Sequence, residues 1–442
     1  MDDLLAARLQ MGISLGFHIL FAVSGMAMPW LMVLAEWRHL RTRNPIYKEL
    51  ALRWARGTAI LFAVGAVSGT VLSFELGLLW PRFMALAGPL IGMPFSLEGF
   101  AFFLEAIALG VYLYGWQRVP ERMHLASGLV IAVSGLMSGV FVMAVNAFMN
   151  TPRGFQLDAQ GQVVDVNLVE AFFTPAFPTQ AVHMVFAAYA SVSFAVLGIH
   201  AWRLLKSPDN SFHRAAMRLV LPFALVSAPL MLLTGDFSAK HLAAHQPAKL
   251  AAAEALFETT DHAPLLIGGL PDVDEQTVPG ALPIPAMLSV LAKGSPDATV
   301  AGLDQVPRAD WPPVVRTHLS FQLMVAAGMG MLLLSAWLAW LYVRRRDPTT
   351  ERWFLIASCL AAPLGLLAVE AGWCVTEFGR QPWIIKDLMR VADAVTPMPG
   401  LTTSLVTVTV LYLVLGAVVA MLLRRHVLSA PEDTAAAERR ES

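Results

Sequence analysis

Long apolar stretches constrain the fold of this 442-residue chain more than any other feature. A helix needs about 20 mainly apolar residues to cross the hydrocarbon core of a bilayer. Backbone inside hydrocarbon must satisfy its hydrogen bonds internally, so each such stretch predicts a membrane-spanning helix. The apolar windows are 10–35, 56–79, 95–116, 124–148, 180–204, 214–234, 317–343, 354–376 and 400–423. The sequence therefore predicts an all-α integral membrane protein with about nine transmembrane helices.

Composition agrees with a membrane protein and excludes other classes. Hydrophobic residues make up 57% of the chain and charged residues only 14%, too few to cover a soluble protein of this size. A net charge of −1 argues against a nucleic-acid partner, because binding phosphates requires a basic surface. The two cysteines, Cys359 and Cys374, form no C-x-x-C-H motif for covalent haem attachment. The first apolar window lacks a cleavage site and predicts a retained helix.

Lysine and arginine alternate along the connections between the apolar windows. They accumulate in every second connection, beginning after the first window. The basic residues of these connections include Arg38, Arg41, Arg43, Lys48, Arg118, Arg122, Arg203, Lys206, Arg344, Arg345 and Arg346. Cytoplasmic loops carry this excess in membrane proteins, so the pattern predicts an outer N-terminus and a cytoplasmic C-terminus.

The predicted helices divide the chain into four segments. Helices 1 to 6 occupy residues 1–234, and helices 7 to 9 occupy residues 317–426. The polar segment 235–316 between them is far longer than an ordinary helix connection, which indicates a functional outer loop. Its first part allows a short helix, and its proline-bearing remainder is expected to be irregular. Residues 427–442 are expected to form a disordered cytoplasmic tail.

Several ionisable side chains fall inside the predicted spans. Each costs several kcal/mol in hydrocarbon, so each is a functional hypothesis by default. The residues are His18, Glu75, Glu98, Glu105, His183, Glu370 and Glu377. Taken singly, they have plain structural explanations: an interhelical hydrogen bond for a histidine, or an ion pair of Glu377 with Arg380 three residues on. Together, at similar predicted depth near the outer face, they indicate a buried polar cluster.

Haem is a cofactor that would use such a cluster. Its iron takes neutral imidazole or thioether as axial ligands, and a His/Met pair suits electron transfer. Met324 has nearly the predicted depth of His183. The chain has 21 methionines, most of which must be packing residues, so spacing alone does not select Met324.

Six stretches resemble subunit I of the cytochrome bd-type quinol oxidases along nearly the whole chain. They are RLQMGISLGFH (8–18), LEGFAFFLEA (97–106), AVNAFMNTPRG (144–154), GDFSAKHLAAHQPAKLAAAEALFET (235–259), SFQLMV (320–325) and GWCVTEFGRQPW (372–383). The family has nine helices in this subunit and a long outer loop that engages quinol. The length of the loop here is similar to that of the short-loop subgroup.

The resemblance implies a role for particular residues. His183 and Met324 match the axial ligands of the low-spin haem b that receives electrons from quinol. His18 and Glu377 match the single protein ligands of the other two haems, one haem b and one oxygen-binding haem d, in an order that stays open. The remaining matches are the quinol pair Lys249 and Glu254, the proton-conducting residues Glu98, Glu105 and Ser138, and Arg380 and Trp373 beside the haems.

Two departures from the family pattern bear on the haems. SFELGLLW (73–80) has Glu75 where most members have glutamine, and Gln322 stands where some members have arginine. A variant oxidase with a third haem b in place of haem d, and altered inhibitor sensitivity, is therefore an alternative. A proton-coupled secondary transporter using Glu98, Glu105 and Lys249 is a remoter alternative, because the inverted repeats expected of one are not evident.

The resemblance thus implies an enzyme of the bacterial cytoplasmic membrane, a quinol:oxygen oxidoreductase. It would oxidise ubiquinol or menaquinol at the outer face and reduce O2 to water. Taking up and releasing protons on opposite sides would generate a proton gradient without pumping. The expected partners are a second multi-helix subunit and a single-helix accessory subunit.

Overall fold

The computed structural model describes residues 2–428, so nearly all of the predicted tail, residues 429–442, lies outside the described residues. Within the described part, nine helices are long and apolar enough to cross a membrane, which confirms the predicted spans. The helices are α1 Asp3–Thr42, α2 Pro45–Leu79, α3 Pro81–Tyr114, α4 Glu121–Asn150, α5 Leu168–Phe172, α6 Phe177–Lys206, α7 Ser211–His245, α8 Pro247–Glu254, α9 Met287–Lys293, α10 Val314–Val343, α11 Arg352–Ala361, α12 Leu364–Phe378, α13 Val391–Ala394 and α14 Leu401–His426.

Local sequence explains where the helices begin and break. Asn44 accepts a hydrogen bond from the backbone N–H of Ile46 and is followed by Pro45, a common arrangement at a helix start. The eighth span is divided into α11 and α12 around Pro363, because proline has no N–H to continue the helical hydrogen bonds.

Small residues allow α6 to pack closely against the divided eighth span. A Cβ at Gly365 would lie 2.3 Å from the Cα of Ser191, and a Cβ at Gly198 would lie 2.4 Å from the Cβ of Ala362. Membrane helices associate through such close backbone approaches. The largest apolar core cluster joins residues of α1, α2, α3, α4, α6, α7, α10, α11 and α12, so these helices share one core.

Short strands and helices occupy the connections. The strands are β1 Gln156–Leu157, β2 Val163–Val164, β3 Leu265–Ile267, β4 Leu282–Ile284, β5 Trp383–Ile385 and β6 Met389–Arg390. They pair as three antiparallel hairpins, β1 with β2, β3 with β4 and β5 with β6. We call the end of the bundle that carries residues 246–313 the loop face, and the end formed by residues 115–120 and 207–210 the opposite face.

The long loop is more ordered than its sequence indicates. Helix α7 continues to His245, well past the predicted loop start at residue 235, and α8 follows directly after Gln246. The expected short helix is therefore present as α8. The remainder was expected to be irregular, but it contains the β3–β4 hairpin, α9 and two 3-10 turns. Backbone pairing of this kind is set by contacts within the loop that single-residue composition does not reveal.

Candidate functional site

The predicted axial ligand His183 lies near the start of α6 and faces α7. Its Nδ1 is 3.2 Å from the Oγ1 of Thr234, and a Cβ at the next residue, Gly235, would lie 3.3 Å from its Cε1. The imidazole is thus fixed against the α7 backbone. Its Nε2 has no hydrogen-bond partner among the residues of the described chain. An imidazole held through one nitrogen leaves the other free for a metal.

Met324, the proposed partner of His183, lies in α10 against α12. A Cβ at Gly372 would lie 3.0 Å from the Met324 sulfur, so glycine at this position makes room for the thioether. Trp373, the next residue, packs against the largest core cluster and against a smaller cluster of residues from α4, α5 and α6. Its indole N–H is buried and has no acceptor among the described residues. Met324 and Trp373 therefore lie where α12 meets α10 on one side and α4 and α6 on the other.

His18 repeats the geometry of His183 on another pair of helices. Its Nδ1 is 2.9 Å from the Oγ of Ser68 in α2, and a Cβ at Gly69 would lie 3.1 Å from its Cε1. Its Nε2 has no partner within residues 2–428. On both histidines, then, a hydroxyl contacts Nδ1, a glycine approaches the ring edge, and Nε2 is left for a ligand bond.

Glu377, at the end of α12, lies in a partly buried polar network. The Arg380 guanidinium donates to its Oε2 at 2.6 Å, and Asn146 of α4 donates a longer hydrogen bond of 3.4 Å to its Oε1. The predicted pair of Glu377 with Arg380 is therefore present. Arg380 is only 3% exposed, and its Nε and Nη1 have no acceptor in the described part of the chain. Buried guanidinium groups ordinarily satisfy such donors, so an anionic group is expected beside them.

A chain of hydrogen bonds, buried except at its Glu377 end, joins Lys249 to Glu377. Lys249 donates to the Oδ1 of Asn150, Asn150 donates to the Oδ1 of Asn146 at 3.0 Å, and Asn146 donates to Glu377. All three bonds point in the same direction, from the loop helix α8 toward α12. The sequence prediction missed both asparagines, although they lie in the stretch AVNAFMNTPRG. It was based on ionisable side chains, and an amide carries no charge.

Burial changes the acid–base chemistry of both predicted quinol residues on α8. Burial, together with the nearby Arg380 guanidinium, lowers the pKa of Lys249 well below its ordinary value, against the opposing effect of Glu377. Burial raises the pKa of Glu254 to about 8. The Glu254 Oε2 has no hydrogen-bond partner among the described residues. The two side chains lie on one short helix, but they form no ion pair with each other within residues 2–428.

The predicted proton-conducting residues lie between α3 and α4. Ser138 donates a 3.2 Å hydrogen bond to Oε1 of Glu98. Glu105 is 4% exposed, and its Oε1 has no partner in the described chain. A Cβ at Gly135 of α4 would lie 3.1 Å from that oxygen, so glycine here provides the space for the carboxyl. The structure therefore places all three predicted residues along one helix pair.

The two departures from the family pattern have distinct surroundings. Glu75 is buried and accepts hydrogen bonds on Oε1 from Gln10 at 2.8 Å and Ser14 at 2.9 Å. It thus lies one to two helical turns from His18 on the same helix pair. Gln322 instead contacts the loop, accepting from Gly268 N at 3.0 Å and donating to Leu266 O at 2.8 Å. The two hydrogen bonds of this glutamine connect the β3 segment to α10.

The donor set fits haem better than a bare metal ion. Within residues 2–428, no three His, Cys, Asp or Glu side chains come together as a bare-ion site requires. The free imidazole nitrogens of His18 and His183, the Met324 thioether and the Glu377 carboxylate are instead separate groups of the kinds that serve as axial ligands of haem iron. Unpartnered donors on Arg380 and Trp373 lie nearby. The fold and these side chains define a multi-pass membrane protein with buried sites suited to haem.

Comparison with known proteins identifies the family. Residues 6–431 match the family model described as cytochrome bd terminal oxidase subunit I, and the chain belongs to this family. It is 37% identical to the putative cytochrome bd menaquinol oxidase subunit I of Bacillus subtilis (strain 168), over 98% of each chain. It is 26% identical to the cytochrome bd-II ubiquinol oxidase subunit 1 of Escherichia coli (strain K12), over 88% of each.

A solved structure supports the same family assignment. The structure of bd oxidase from Geobacillus thermodenitrificans superposes with a TM-score of 0.91 at 40% identity, covering 97% of this chain and 99% of that one. The chain is therefore subunit I of a terminal oxidase, which works with a subunit II. Because the chain belongs to this oxidase family, we do not retain the hypothesis of a proton-coupled secondary transporter.

Proposed function

We propose that the chain is the haem-bearing subunit of a quinol:oxygen oxidoreductase in the bacterial cytoplasmic membrane. The observation that carries this proposal is the directed hydrogen-bond chain from Lys249 through Asn150 and Asn146 to Glu377. It links the loop helix α8 to the end of α12, where a haem ligand is proposed. Both relatives described above are named as quinol oxidases.

Quinol oxidation is assigned to the loop face, which we take to be the outer side. Glu254 is a suitable proton acceptor, because its raised pKa lies close to the range in which a base works near neutral pH. Lys249, whose pKa is lowered, donates a hydrogen bond more readily than it carries a charge. Placed on the outer side, both residues would bind the quinol head group and release its protons outward.

The haems would be held by the ligands described above. His183 with Met324 would hold a low-spin haem b, and His18 and Glu377 would each hold one further haem. When bound, the haems carry electrons from quinol and provide an iron with a vacant position for O2. Thr234 and Ser68 orient the two imidazoles, and Arg380 supplies positive charge. Glu98, Glu105 and Ser138 would bring protons from the cytoplasmic side, so that turnover creates a gradient without pumping.

One preparation tests these assignments. The chain is purified with its second subunit and any accessory single-helix subunit, and the reduced-minus-oxidised spectrum is recorded together with quinol-dependent O2 uptake. We expect haem b bands and O2 consumption that requires quinol. A red chlorin band would identify haem d, and its absence would identify a third haem b. A preparation with neither haem absorbance nor quinol-dependent O2 uptake would refute the proposal.

A further inference from the structure

A second cluster of buried titratable side chains lies near the opposite face, away from the quinol and haem ligands. It comprises Glu36 of α1, Tyr112 of α3 and His124 of α4, which are 1%, 0% and 2% exposed. We call these three residues the opposite-face cluster. The functions described so far use none of them. Burying a carboxyl and an imidazole costs free energy, so their position in the core must have a structural or functional reason.

The hydrogen bonds of the cluster determine how many protons it holds. Nε2 of His124 lies 2.9 Å from the backbone oxygen of Tyr112, which can only accept, so Nε2 must carry a proton. Nδ1 lies 2.8 Å from Oε1 of Glu36. Either Nδ1 is protonated and faces a carboxylate, or a neutral Nδ1 accepts from a protonated carboxyl. In both arrangements the pair is neutral overall and holds one transferable proton between the two atoms.

Two further polar atoms of the cluster are buried without partners. Neither Oε2 of Glu36 nor the Tyr112 hydroxyl has a partner within ordinary hydrogen-bond distance among the described residues, although the two side chains are close enough to interact with each other. Neighbouring unsatisfied polar atoms of this kind are the usual positions of ordered internal water. A water that completes the hydrogen bonds of Glu36 and the Tyr112 hydroxyl would be able to pass a proton on.

The cluster is aligned with the proton-conducting carboxyls. Tyr112 follows Glu98 and Glu105 at successive intervals of seven residues, so all three share one face of α3, about 10 Å apart. Side chains tilt toward the N-terminus of their helix, so both Glu36 and Tyr112 lean from the opposite face toward Glu105. Gly128 of α4 leaves room beside them, since a Cβ there would lie 2.9 Å from the Tyr112 ring.

We propose that the opposite-face cluster is the proton intake that reloads Glu105, and this proposal rests on the proposed function. The Glu36–His124 pair stores one proton. Glu36 passes it through water at the Tyr112 hydroxyl to Glu105, and the pair takes up one proton from the opposite face in return. No electron moves in these steps. The three residues are proton-relay residues, and none touches a proposed haem ligand.

Aromatic rings cover the cluster, and charged side chains lie beyond these rings. The rings of Trp116 and Tyr112 pack against His124 in a tilted arrangement, with centroids 4.2 Å and 4.4 Å away. The half-buried Lys48 lies over the Trp116 ring, 5.5 Å from its centroid. Arg43 and Glu121, both exposed, form a separate ion pair at 2.5 Å. Protons would reach His124 through the turn at residues 115–120, next to Trp116.

The test compares variants of the purified two-subunit complex in liposomes. Glu36→Gln keeps the shape and can still donate a hydrogen bond to Nδ1 of His124, but it cannot release a proton. Tyr112→Phe removes only the hydroxyl. We expect each to slow steady-state O2 reduction roughly tenfold or more, as loss of a proton-transfer group does. Anaerobic reduction of the haems by quinol, which requires no proton uptake from the opposite face, should keep its rate.

Glu121→Gln is the matched control, because it neutralises an exposed carboxyl of the same region. It should leave both rates unchanged. Wild-type O2 reduction in both Glu36→Gln and Tyr112→Phe, with normal haem spectra, would overturn the proposal. If Glu36→Gln fails to assemble, the Tyr112→Phe result decides. A merely structural role would slow haem reduction and O2 reduction together, which would also overturn the proposal. Absence of quinol-dependent O2 uptake by the wild-type complex would instead refute the proposed function.

Discussion

Replacing Asn150 by alanine tests the connection between the quinol residues and the proposed haem ligand Glu377. The substitution removes the side-chain acceptor of the Lys249 amino group, which is only 3% exposed. Leaving a buried donor without its acceptor costs about 1–3 kcal/mol. Since about 1.4 kcal/mol corresponds to a factor of ten, we expect quinol oxidation to slow by roughly 5- to 150-fold. The assay is quinol-dependent reduction of the haems by stopped flow, with haem content determined from the spectrum.

A second substitution at the same position separates two roles of Asn150. Asn150→Asp keeps an acceptor for Lys249 but removes the amide that donates to Asn146. If Asn150 only anchors Lys249, this variant should retain most of the activity. If the continuous chain to Glu377 matters, both variants should be slow. Wild-type kinetics in Asn150→Ala, at full haem content, would refute the reasoning.

Three further predictions concern other parts of the molecule. The pKa of Glu254 is raised to about 8, so its base form increases as pH rises toward 8; quinol oxidation should accelerate over that range in the wild type and lose this dependence in Glu254→Gln. Gln322→Ala removes two hydrogen bonds to the β3 segment, together worth about 1–3 kcal/mol, and hydrogen exchange there should quicken while α10 stays protected. Equal protection in both proteins would contradict this. Gly365→Val would force α12 away from Ser191, so the complex should assemble poorly or melt earlier, and normal melting would argue against the close packing.

The spans could be predicted because they depend on local composition. An apolar window of sufficient length has few alternatives to a membrane helix, whatever its neighbours are. The candidate ligands His18, His183 and Glu377 could be selected for a related reason, since ionisable side chains are costly in hydrocarbon; their proposed roles came from the family resemblance. Which side chain contacts which, such as Thr234 with His183 or Ser68 with His18, depends on tertiary packing that one sequence does not encode in its periodicity.

The burial of polar residues near the ends of the apolar windows was not predicted, and the reason is physical. Glu36 lies just beyond the first predicted window, and His124 is the first residue of the fourth, where solvation at the membrane surface is expected. The structure buries both, because α1 continues to Thr42 and because Trp116 and Tyr112 cover the imidazole. Neutral amides such as Asn150 were missed for the opposite reason, since their cost in hydrocarbon is modest and only their partners reveal a role.

The charges at the loop face explain why the site requires an anion. Lys249 and Arg380 lie near a single carboxylate, Glu377, so the buried network has more positive than negative groups. An uncompensated charge in the protein interior is strongly destabilising. Burial first and the nearby Arg380 guanidinium second lower the pKa of Lys249, and the Nε and Nη1 of Arg380 have no acceptor among the described residues. The carboxylates of the proposed haems would balance the charge and accept these donors. The same interactions would then both hold the cofactor and stabilise the fold.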